Sequence, residues 1–70
     1  MAWSVCLRLD KILEEKHMTR YALSRETGII YHILDKYYKN KVTRYDGYLL
    51  AKMCEALDCE IDDLIEIIKD

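Results

Sequence analysis

Proline and phenylalanine are absent from these 70 residues, and glycine occurs only twice, as Gly28 and Gly47. Almost nothing therefore interrupts helix by fixing φ or removing a backbone donor. Cysteine is sparse and odd in number: Cys6, Cys54 and Cys59 show no CxxC spacing, and His17 and His32 lie near none of them. That excludes a disulfide scaffold and a zinc site, and leaves free thiols in a reducing compartment. No apolar run approaches the roughly 18 residues of a membrane helix, and no signal-peptide pattern is present, so the expected location is the cytoplasm. A nucleophile elbow, a phosphate-cradling glycine loop and HExxH are all missing, so neither an enzyme nor a cofactor is expected. The adjacent acids Asp62 and Asp63 suit a helix start better than a catalytic pair. No small-molecule site is evident.

What is present is 51% hydrophobic and 34% charged residues, with six Tyr and one Trp as the aromatic set. A chain this short buries only about 60% of its unfolded surface, so regular local structure must carry much of the stability. It reads as one domain over residues 1–70, with a core over about 7–68. The net charge of −2 conceals a division. Between Lys16 and Arg44, seven basic residues (Lys16, Arg20, Arg25, Lys36, Lys39, Lys41, Arg44) outnumber Glu26 and Asp35 by five. From Tyr45 onward, eight acids outnumber Lys52 and Lys69 by six. A basic middle and an acidic tail favour a polyanionic partner for the middle alone.

Five short helices account for the hydrophobic spacing. Val5, Leu9, Ile12 and Leu13 predict a first helix over about Cys6–Lys16 with Ser4 as N-cap; Leu7 falls off that stripe, and an extended lead-in over Ser4–Leu7 is the alternative. His17 should take positive φ at its end. Thr19 caps a second helix, about Arg20–Glu26, which buries Ala22 and Leu23 and ends at the permissive Gly28. A third runs over about Tyr31–Lys39, with Leu34 and Tyr37 inward, Ile29 packing from the turn, and Asn40 as its C-terminal cap. Asp46 caps a fourth, about Gly47–Leu57, with Leu50, Met53, Cys54 and Leu57 as its stripe. Glu60, Asp62 and Asp63 open a fifth, whose apolar residues are Ile61, Leu64, Ile65, Ile67 and Ile68. Tyr38 and Tyr45 are open between packing and hydrogen bonding.

The string T-R-x-x-L-S-x-x-T-G-I, an apolar–polar helix ending in Lys39–Asn40, and A-L-D-C before D-D-L-I-E resemble the Cro and phage-repressor-like (Xre-type) helix-turn-helix domains, in particular their small stand-alone bacterial members. The resemblance implies an all-α, compact, five-helix lambda-repressor-like fold. Helices two and three would form the motif and helix 31–39 would enter the major groove of double-stranded DNA. It also implies roles by position: Thr19 and Arg20 on phosphate, Tyr31, His32 and Lys36 on base edges with Ile33 and Asp35 beside them, and Lys39, Lys41, Thr43 and Arg44 on flanking phosphates. Ile30 stands where the family commonly places a capping Ser or Thr.

The chemistry suits those roles. Lys and Arg neutralise phosphate without reading sequence. Lys36 can donate to guanine, His32 can donate or accept, and Tyr31 offers a hydroxyl and a ring to a thymine methyl. Asp35 can accept from cytosine or pair with Lys39 at i, i+4. The expected function is sequence-specific transcriptional regulation, as a repressor of bacterial, phage or mobile-element origin. A protein-interaction module of the same fold is the alternative. A homodimer is expected, through Ile61, Leu64, Ile67 and Ile68 or through the N-terminal segment Trp3–Leu7.

Overall fold

The computed structural model describes residues 2–69, so the ends of the expected 1–70 domain, Met1 and Asp70, lie outside it. In order, the elements are β1 (Trp3–Leu7), α1 (Leu9–Glu15), α2 (Arg20–Thr27), α3 (Tyr31–Tyr38), α4 (Gly47–Leu57), α5 (Ile61–Leu64) and β2 (Ile65–Lys69). The five helices are present, joined by a two-stranded antiparallel sheet in which Val5 faces Ile67 and Leu7 faces Ile65.

The sheet corrects two helix boundaries. Cys6 and Leu7 belong to a strand, and α1 starts at Leu9 with Arg8, not Ser4, at its N-cap position. Leu7, which fell off the helical stripe, is buried beside Leu9 in the core. The extended lead-in is the arrangement found. At the other end the fifth helix is one four-residue turn, and Ile65, Ile67 and Ile68 are in strand. Stiff β-branched side chains pack well on a pleated surface and lose little there. Their pairing partner, β1, lies some sixty residues away in sequence, so no local pattern announces it.

Capping residues set the remaining boundaries. The Thr19 hydroxyl accepts from the Ala22 N–H at 3.0 Å, and Asp46 accepts from the N–H groups of Tyr48 and Leu49. Glu60 and Asp63 form a capping box at the start of α5, in which the Asp63 carboxylate accepts from the Glu60 N–H at 3.0 Å. His17, Asn40, Asp58 and Gly28 all take positive φ at helix ends. α2 extends one residue beyond the expected Glu26 because the Thr27 hydroxyl is buried, donating to the Leu23 carbonyl at 2.8 Å and accepting from the Ile29 N–H at 3.2 Å. α3 ends at Tyr38 with Lys39 as its C-cap.

Leu9, Leu23, Leu34, Met53, Leu57 and Leu64 form the driest part of the core. On α4, Leu50 and Cys54 are only half-buried and pack around it. All three cysteines are free and half-buried. Burial, reinforced by neighbouring Cys54, pushes the Cys59 thiol up to about 11, so it stays protonated near neutrality.

Asn40 does more than end α3. Its side-chain oxygen accepts from the Leu7 N–H at 2.7 Å, and its amide nitrogen donates to the Leu7 carbonyl at 3.2 Å. One amide therefore satisfies both outward-facing backbone groups of a sheet-edge residue and ties β1 to the end of α3. Asn40→Gly keeps the left-handed backbone but removes the clamp, and should lower unfolding free energy by about 1–2 kcal/mol in urea titrations. Asn40→Ala should cost about 1 kcal/mol more, because alanine also strains at that φ. Undiminished stability in Asn40→Gly, with a loss in Asn40→Ala alone, would mean that only the backbone conformation matters.

Candidate nucleic-acid interface

α3 is oriented by what it buries. Leu34 is fully enclosed and Tyr37 nearly so, with the Tyr37 hydroxyl accepting from the Asp46 N–H at 3.0 Å and its ring tilted against Tyr45 at 5.9 Å. With Leu34 and Tyr37 inward, helical spacing turns His32 and Lys36 to solvent and leaves Tyr31 and Ile33 on the flanks, and all four are exposed. Ile30 precedes them without a side-chain cap bond, as expected from its lack of a hydroxyl.

The packing of α2 against α3 is reinforced by a charged cluster. Arg20 Nη1 meets one Asp35 carboxylate oxygen at 2.5 Å, Lys39 Nζ meets the other at 3.0 Å, and the Arg20 guanidinium lies over the Tyr38 ring at 4.3 Å. The hydrogen bond from Lys39, opposed by partial burial and aided by Arg20, holds the Asp35 carboxyl below the usual carboxylate range. Both Asp35 oxygens are thus engaged within the protein, and the i, i+4 pair with Lys39 is formed. Arg20 is itself half-exposed, so its guanidinium is both anchored by Asp35 and open to solvent. The sequence pointed to Arg20 and Asp35 separately; their bond depends on how two helices cross.

Thr19, Lys39, Lys41, Thr43 and Arg44 are all exposed. Among the described residues the ion pairs are those of Asp35, so Lys36, Lys41 and Arg44 have no carboxylate partner. The connector between α3 and α4 is held near the sheet by the Tyr45 hydroxyl, which reaches the Val5 carbonyl at 3.5 Å. Several tail acids sit elsewhere. Asp58 and Asp63 line a shallow groove with Arg8, Lys11 and Lys16 of the α1 region, and Arg8 donates to the Asp62 carbonyl at 2.6 Å. No group of three or more His, Cys, Asp or Glu side chains among the described residues is placed to hold a metal. No described helix is long and apolar enough to cross a membrane.

This arrangement, a capped α2, a Gly28 turn and an outward-facing α3 flanked by unpaired cations, defines a helix-turn-helix domain. Residues 8–70 match the Cro/C1-type HTH DNA-binding domain, and the chain belongs to that family. Among solved structures, the transcriptional regulator VanUg superposes with a TM-score of 0.80 at 25% sequence identity, covering 100% of this chain and 92% of that one. No curated protein sequence matches the chain significantly.

The Asp35 cluster carries a pH dependence whose sign is fixed. A carboxylate depressed in the folded state stabilises fully above its unfolded pKa, about 4, and loses that contribution as pH falls through the lower folded value. Wild-type melting temperature should therefore drop more than that of Asp35→Asn between about pH 5 and about pH 2. Parallel pH profiles in circular-dichroism melts would show that the cluster adds nothing.

Proposed function

We propose that this protein is a transcriptional regulator that binds double-stranded DNA sequence-specifically, with α3 in the major groove, and that it acts as a repressor. The observation that carries this is the coincidence of an uncovered α3 face with unpaired cations at Lys36, Lys41 and Arg44, in a chain whose overall charge is negative. A helix face left open by the core and rimmed by cations fits a groove lined by phosphate. Tyr31, His32, Ile33 and Lys36 are the base-reading set. Thr19, Arg20, Lys39, Lys41, Thr43 and Arg44 position the domain on phosphates. Asp35 serves here as the anchor of Arg20 and Lys39 rather than as a reader.

The functional unit we propose is a homodimer joined through the two-stranded sheet. Trp3 is 65% and Ile67 57% exposed, Val5 lies between them on the same face, and the outer edge of β2 has no strand beside it among the described residues. Such an edge pairs readily with a second copy across a two-fold axis. The expected contacts are revised accordingly: Leu64 is fully enclosed in the core and is not available to a partner, whereas Ile67, Ile68, Ile61 and the Trp3–Leu7 strand remain exposed in whole or part. Two copies would then span half-sites about 34 Å apart.

Lys41→Ala or Arg44→Ala should weaken binding to all duplexes and reduce the slope of log K against log salt by about one unit. Lys36→Ala should instead cost about 1–3 kcal/mol at one base pair of a selected site. Fluorescence anisotropy on selected and random duplexes distinguishes the two, and equal losses on both DNAs for every variant would contradict the assignment. For the dimer, light scattering at tens of micromolar should return twice the chain mass of 8.4 kDa. A single-chain mass there would remove it.

A further inference from the structure

The helix that faces outward exposes isoleucine where no packing requires it. Ile30, at the N-cap position of α3, is 67% exposed, and Ile33 is 36% exposed. Ile33 lies on one flank of the helix, and Ile30, three residues before it, leaves its apolar surface in solvent where the helix begins. His32 and Lys36 form the crest beside them, and the exposed Tyr31 ring lies on the other flank. Ile30 also makes no side-chain cap, so isoleucine at this position does nothing for the helix it begins. With the Asp35 carboxylate engaged by Arg20 and Lys39, polar reading on α3 reduces to His32, Lys36 and the Tyr31 hydroxyl.

The major groove offers an apolar strip one matching feature, the C5-methyl group of thymine. Unmodified G·C pairs present polar acceptors and donors there. Isoleucine against a thymine methyl removes apolar surface from water on both sides. Isoleucine against a G·C edge strips water from polar atoms and returns no hydrogen bond. The unpaired cations Lys36, Lys41 and Arg44 on the same helix and its connector select a polyanion, not an apolar protein groove, as the body that covers the strip. We propose that Ile30 and Ile33 read thymine methyl groups, so that the binding site carries A·T pairs, with thymine methyls turned toward this flank of α3. The proposal rests on the sequence-specific DNA binding put forward above and names its chemical determinant.

The test begins with the full chain enriching duplexes from a randomised pool. Each thymine of the enriched site is then replaced by deoxyuridine, which lacks only the C5-methyl group. At one or two thymines affinity should fall about fourfold, the equivalent of one buried methyl. A C·G pair placed at such a position should bind more tightly when its cytosine carries a 5-methyl group. Ile33→Ala or Ile30→Ala, surface changes whose folding is checked by thermal melts, should bind the thymine and deoxyuridine duplexes equally at one of those positions. An enriched site indifferent to deoxyuridine throughout would overturn this inference and leave DNA reading intact. Undiminished deoxyuridine sensitivity in both isoleucine variants would do the same. Failure to enrich any duplex would overturn both and favour the protein-interaction module.

Discussion

The pairing of the chain's two ends holds the domain together. β1 and β2 meet antiparallel, and where the sheet reaches the helices it delivers Leu7 and Leu64 into the same core as Leu34 and Leu57. In a domain this small no second core exists to compensate, and a two-stranded sheet standing free of the helices would be marginal. The helices need the ends of the chain, and the sheet needs the helices.

Asn40 links that closure to the end of the exposed α3. Its amide holds both outward backbone groups of Leu7 while its left-handed backbone ends α3. The Tyr45 hydroxyl adds a second tie from the α3–α4 connector to β1. The cation-bearing connector is thereby bracketed between the helix proposed to read DNA and the sheet proposed to join two copies. A rigid route from the dimer surface to the phosphate contacts would keep paired reading helices at a constant separation, which half-site spacing demands.

The charge distribution follows the same division. The cluster of Arg20, Asp35, Lys39 and Tyr38 uses part of the basic middle to fix α2 against α3, and leaves Lys36, Lys41 and Arg44 for solvent or phosphate. Asp58 and Asp63 share a groove with cations of the α1 region, away from α3. Net charge is thus a poor guide to which surface a small domain presents to a polyanion; the sign of the uncovered helix face matters more.

The sequence by itself determined the helical body and its boundaries wherever the cause is local. Thr19 and Asp46 cap, Gly28 turns, His17 and Asn40 accept positive φ, and 3.6-residue spacing sends Leu34 and Tyr37 inward. These signals act within a turn or two and are readable from neighbouring residues. Tertiary structure alone decided the sheet, since Leu7 and Ile65 become strand only by meeting each other. It likewise decided that Leu64 is core rather than contact, that Asp35 is occupied, and that Asn40 is a clamp. Each of these joins residues distant in sequence, and the free energy of such a contact belongs to the pair, not to either residue's local pattern.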